Sequence, residues 1–234
     1  MNTLRFAGSI FISLLMACVC HAEEKASAVN YAVSVLKMPR IKARYNEIVI
    51  EQVIINKSKN ISDAQARKIT KALKKFSQKF YEDAKDCYDP SMSGPWGFKA
   101  KLDQINYIDN TVSVVFATDA VCSGSPELNK EAKVFSTLSG DEITIKELVQ
   151  KFVPTLLESG ATIRDGRLKL GADAAEKLMD ENKFQLDSNT KEFCESYLKR
   201  ISYSVWFKDN NLKLQPLFSH PDSVCQKEYA IQFK

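Results

Sequence analysis

Beyond its first 22 residues, the chain's reactive side chains are few: the thiols of Cys87, Cys122, Cys194 and Cys225, and one imidazole, His220. No two of these cysteines stand as C-x-x-C, so neither a dithiol redox motif nor a zinc knuckle is supported. His220 lies in PLFSHPDSVC beside Ser219 and Asp222. Ser-His-Asp triads assemble from distant positions, so a hydrolase using His220 is an alternative to keep. The nucleophile elbow that such an enzyme often uses is missing, since Ser123-Gly124-Ser125 lacks the flanking glycine pattern. With one histidine, zinc would need several carboxylates, and no H-E-x-x-H occurs. Asp180, Asn182 and Asp187 to Asn189 resemble calcium-loop ligands, but the glycine and final glutamate fall out of register. Eight glycines in 234 residues leave little material for a phosphate-cradling loop. The expectation is a non-enzyme with no catalytic residue, no metal and no cofactor.

The thiols point to a compartment. Met1 to Ala22, MNTLRFAGSIFISLLMACVCHA, has Arg5, an apolar run from Phe6 to Val19 and a small residue at Ala22, the pattern of a secretory signal peptide. That run is shorter than the roughly 18 residues of a membrane span. The expected product is a periplasmic chain, Glu23 to Lys234, without a transmembrane segment. Acylation at Cys18 is the alternative, but it leaves Cys20 as an odd thiol, whereas cleavage after Ala22 leaves an even four. Exported thiols usually pair. Of three connectivities we favour Cys87 with Cys122 and Cys194 with Cys225, nearest in sequence and each joining a helix to a strand or loop end. Each would contribute about 3 to 4 kcal/mol by restricting the unfolded chain.

The elements that must carry these residues are legible in places. Ser62 and Gln65 form a capping box, and Ala66, Ile69, Leu73, Phe76, Phe80 and Ala84 then recur every three or four residues, an amphipathic helix ending near Cys87. Its other face carries Arg67, Lys68, Lys71, Lys74, Lys75 and Lys79. Lys37 to Asp86 holds 13 basic against 6 acidic residues, and Cys87 to Lys234 holds 18 against 21. The basic half is read as solvated helix surface, with a membrane or peptidoglycan accessory role as alternative; an exported chain seldom meets nucleic acid.

Ala28 to Met38 reads as a strand, and Tyr45 to Ile55 as strand or helix. After a loop in YDPSMSGPWG, Phe98, Ala100 and Leu102 alternate, Asp109-Asn110 turns, and Val112, Val114 and Phe116 share one face. Ser123 to Glu127 is expected as loop and Ala132 to Leu138 as strand. Ser139-Gly140-Asp141 turns into a second capping box, Thr144 with Glu147, and Pro154 ends that helix. Hairpins are expected at Asp165-Gly166 and at Asp209 to Asn211, helices at Ala172 to Lys183 and Thr190 to Lys199, and a last strand at Tyr229 to Phe233. Neighbouring strands pair and helices fall between strand groups. The fold class is therefore α+β, an antiparallel sheet with helices packed against it and two disulfides, one domain over 23–234 with a subdivision near 150–165 as alternative.

The order of a valine-rich strand, the long helix, NTVSVVFATDA, LSGDEITIKEL and a late hairpin ending LKLQPLF resembles the extracytoplasmic lysozyme-binding domain of an anti-sigma factor and the related domain beside peptidoglycan deacetylases. That family commonly has Gly-Gly-Ala-His-Pro where this chain has Cys122-Ser123-Gly124-Ser125-Pro126. The resemblance implies a periplasmic or cell-surface interaction domain, with a wall hydrolase as one ligand; the export signal, the paired thiols and the lack of catalytic groups extend this expectation to binding an exported protein partner, as an inhibitor or immunity protein against a cell-wall hydrolase or toxin. Tryptophan is enriched among interface anchors, and Met92, Trp96 and Phe98 are the expected contact loop. Trp206 and Val205 face opposite sides of one strand, so one must point outward unless a helix covers it; core use is the favoured reading for Trp206.

Overall fold

The computed structural model describes residues 29–36, 48–87, 96–122, 125–182, 194–217 and 225–233. Residues 1–28, Met92 and His220 lie outside them, as do Lys183 and Thr190 to Phe193 of the two later helices expected from the sequence.

The first sheet has the order β1 (Asn30–Val35), β2 (Ile48–Asn56), β3 (Gly97–Ile108), β4 (Thr111–Cys122) and β5 (Ser125–Ser136). Its pairings are antiparallel except β2 with β3, which run parallel because helix α1 (Asp63–Cys87) crosses between them. Of the stretch Tyr45 to Ile55, read as strand or helix, the described part from Ile48 onward is strand. β5 starts at Ser125, well before the expected Ala132, so only 123–124 separate it from β4. The expected loop Ser123 to Glu127 thus overlaps the strand from Ser125, and the charged early half of β5, through Glu131, sits on a sheet edge, where polar side chains are ordinary.

Helix α1 lays its expected stripe on this sheet. Ala66, Ile69, Leu73, Phe76, Phe80 and Ala84 are buried, and the Phe80 ring lies 4.6 Å from Phe76, 5.5 Å from Phe116 and 6.5 Å from Phe98. Val112, Val114 and Phe116 meet it from β4. The Ser62–Gln65 box is formed, with the Ser62 N–H donating to Gln65 Oε1 at 2.8 Å.

The second sheet has the order β10 (Tyr229–Gln232), β9 (Asn211–Pro216), β8 (Ser202–Lys208), β7 (Arg167–Lys169), β6 (Thr162–Arg164), all antiparallel. Its core side holds Tyr203, Val205, Phe207, Leu212 and Leu214 under helices α2 (Ile145–Phe152), α3 (Thr155–Glu158), α4 (Ala172–Glu181) and α5, residues 194–198. The Thr144–Glu147 box caps α2 as expected, and Pro154 separates α2 from α3. The hairpin turns carry their left-handed residues where the sequence places them: Asp109 and Asn110, Asp165, Asp209 and Asn210.

Val205 and Trp206 are both buried, which corrects the expectation that one lacking a helical cover would point outward. The cover is the first sheet: β8 packs on β3, β4 and β5, and Ser113 Oγ donates to the Phe207 carbonyl at 3.2 Å. Lys130 Nζ lies 5.9 Å from the Trp206 ring centre, held by Asp103 Oδ2 at 2.9 Å and Glu228 Oε2 at 3.3 Å, with Lys213 3.6 Å from the other Glu228 oxygen. Burial opposes charge on Lys130, but its bond to Asp103 and the two carboxylate charges raise its pKa overall.

Candidate interaction surface

Both disulfides form in the expected connectivity. Cys87 bonds Cys122, tying the end of α1 to the end of β4, and Cys194 bonds Cys225, tying α5 to the segment before β10. Pairs of this kind fit an oxidising, extracytoplasmic environment, and no helix among the described residues is long and apolar enough to cross a membrane.

The expected contact loop needs correcting. Trp96 and Phe98 are only 8% and 6% exposed, with Phe98 in the core under α1, because β3 starts at Gly97 and turns alternate residues inward. Neither ring offers a contact face. No group of three or more metal-capable side chains occurs among the described residues, and Asn182 is otherwise engaged. Its amide nitrogen donates to the carbonyls of Leu178 (2.7 Å) and Ala230 (2.9 Å), and its oxygen accepts from the Ala230 N–H (2.9 Å).

A surface unassigned by sequence reasoning lies at the other edge. All six residues of β1 are exposed, and Tyr31, Val33 and Val35 stand 43%, 43% and 57% open. In antiparallel register Tyr31 faces Ile55 and Val33 faces Val53, both buried under α1. Directly opposed residues share a face, so the stripe continues the core side of the sheet past the helix. The chain's pattern YAVSV contains that stripe, but whether a strand is central or terminal is set by sheet order, which alternation does not report.

The backbone of β1 is open as well. Leu36 N donates to Ile50 O at 2.7 Å, which puts even-numbered residues on the β2 side of the ladder. The other edge of β2 is served by α1: Thr70 Oγ1 accepts from Ile55 N at 2.9 Å and donates to Ile55 O at 3.2 Å. The N–H and C=O groups of Tyr31, Val33 and Val35 therefore face away from β2, and among the described residues no strand pairs with them.

Beside the stripe runs a groove of about 720 Å³ between β2 and α1. Its charged lining is Lys57, Arg67, Lys71, Lys74 and Lys75 against Asp63 alone. Lys57 and Asp63 are 3.8 Å apart and exposed. Among the described residues no carboxylate comes within 4 Å of Arg67, Lys71, Lys74 or Lys75. The opposite flank of α1 differs: Lys68 pairs with Asp141 at 2.7 Å, and Lys79 with Asp83 at 2.5 Å and Glu131 at 3.7 Å. The basic face seen in the sequence is thus divided, one flank bonded to the protein and one left open.

No protein-family description and no curated protein matches the chain. Two solved structures are similar to it. One, from Pseudomonas aeruginosa PAO1, shares 10% identity at a TM-score of 0.47, over 87% of this chain and 88% of its own. The other, from Bacteroides fragilis NCTC 9343, shares 8% identity at a TM-score of 0.46, over 88% and 90%. Both are DUF3298 family proteins.

Proposed function

We propose that this chain is an exported, non-enzymatic protein-binding domain, acting in the periplasm on another exported protein as an inhibitor or immunity protein against a cell-wall hydrolase or toxin. The observation that carries protein binding is the terminal strand β1, whose apolar stripe Tyr31, Val33, Val35 is exposed beside a row of backbone donors and acceptors that no strand among the described residues pairs. Such an edge pairs readily with another chain, and soluble proteins usually blunt it with charge, proline or a cover. Asn30 to Val35, NYAVSV, contains none of the first two. The two disulfides and the leader pattern of residues 1–22 support export.

The test uses oxidised Glu23 to Lys234 and its Val33→Asp/Val35→Asp variant, each immobilised and exposed to the exported proteins of its own organism and its competitors. A hydrolase or toxin that is retained by the parent in stoichiometric amount, inhibited by it, and released by the variant supports the proposal. Equal retention by both, or by neither, contradicts it.

A further inference from the structure

We infer that the segment received at β1 is an extended acidic stretch of the partner protein, which adds as a strand to β1 and directs carboxylates to the open flank of α1. This rests on the protein-binding reading above and adds the chemistry of the partner.

Two independent features meet here. The outward N–H and C=O groups of Tyr31, Val33 and Val35 require a ligand with alternating backbone acceptors and donors, which an extended polypeptide supplies. The groove beside it, with its side chains Lys57, Arg67, Lys71, Lys74 and Lys75 set against Asp63, requires negative charge. The spacings are compatible. Alternate residues of a strand are about 6.7 Å apart, and residues four apart in a helix are about 6 Å apart along its axis. Glutamates on one face of an added strand can therefore follow Arg67, Lys71 and Lys75 in step. The stems of those glutamates would lie beside the Tyr31, Val33, Val35 stripe on the same face, and the apolar side chains between them would turn to the opposite face of the sheet. A polyphosphate, an anionic glycan or a lipid surface would satisfy the cations and leave the strand edge unpaired, so the polypeptide is the better fit. The same charge disfavours a cationic face of a wall hydrolase at this site, since like charges oppose encounter and docking.

Two variants separate the features. Arg67→Glu/Lys71→Glu/Lys74→Glu inverts the flank at exposed or half-buried positions with no ion pair to lose. Val33→Pro removes one outward N–H and no bond to β2, a place where an edge strand accepts proline. Circular dichroism and intact disulfides would establish that each variant is folded. The probe is a fluorescein-labelled synthetic peptide of alternating glutamate and valine, titrated by anisotropy into the oxidised protein. The expected result is saturable binding that weakens with added salt and falls by about tenfold or more in each variant, a loss of the size a strand bond or an ion-pair row supplies. A lysine–valine peptide should not bind. Absence of saturable binding overturns the inference. So does binding that Val33→Pro leaves intact, which would be polyanion capture alone, or equal binding to phosphatidylglycerol vesicles. If the charge-inverted variant still retains the captured partner while Val33→Asp/Val35→Asp does not, the acidic segment is wrong and the protein-binding edge stands.

Discussion

Asn182 shows how much one side chain can hold. It ends α4 and, through both ends of its amide, satisfies the backbone N–H and C=O of Ala230 in β10. Asn182→Ala takes that partner from these half-buried groups, so thermal or urea unfolding should show a loss of about 1 to 3 kcal/mol. Tyr229, in the same strand, donates to the Cys225 carbonyl at 3.0 Å, and burial pushes its pKa from 10.0 up to about 12. Because the fold holds the neutral phenol, the linked stability is complete below pH 10 and is lost as pH rises toward 12. Lys130, also raised, acts in the same direction above its ordinary 10.5. Tyr229→Phe should therefore cost about 1 kcal/mol at neutral pH yet flatten the alkaline limb of the stability curve. Unchanged alkaline sensitivity would show that Tyr229 is not its source. Gly140 is a third sensitive point: at φ +73°, an added Cβ would sit 3.1 Å from the Gln65 backbone at the start of α1. Gly140→Ala should lower stability by about 1 to 3 kcal/mol in the same unfolding experiment.

At the scale of elements, what was legible in the sequence is what local chemistry decides. Ser62 with Gln65 and Thr144 with Glu147 mark helix starts because the capping bonds span only three residues. Asp109-Asn110 and Asp209-Asn210 mark hairpins because few residues accept the left-handed conformation. The start of β5 was not legible, since its charged residues are held in the sheet by β4 rather than by any preference of their own. The exposure of β1 was hidden for a related reason: Tyr31, Val33 and Val35 alternate as half-buried strand residues do, and only the sheet order reveals that α1 stops short of them. The disulfides follow an argument from proximity in sequence, and their effect can be measured. The Cys87–Cys122 bond closes a separation of 35 residues, so Cys87→Ala/Cys122→Ala should lose about 3 to 4 kcal/mol by denaturant unfolding. That variant also frees the last turn of α1 from β4, and proteolysis should begin there.

On the scale of the whole molecule, two sheets each carry their own helices, and they meet where β8 lies on β3, β4 and β5. Trp206 is buried at that meeting, beneath Lys130 and its carboxylates. No periodicity within strand β8 could announce this, because the covering residues come from the other sheet. Of the expected contact residues, Met92 lies outside the described residues, and Trp96 and Phe98 are buried for the same non-local reason: aromatic residues flanked by glycine and proline suit a surface, but α1 covers Phe98 and Trp96 is buried. The surface proposed to receive a partner is the far edge of the first sheet, where β1 is exposed and no strand among the described residues pairs with it. The most direct test is hydrogen exchange of oxidised Glu23 to Lys234 with and without the exported protein proposed to bind it. The account predicts that the amides of Tyr31, Val33 and Val35 exchange freely in the isolated chain and become protected in the complex. Protection confined to other segments, with these three amides still exchanging freely, would contradict it.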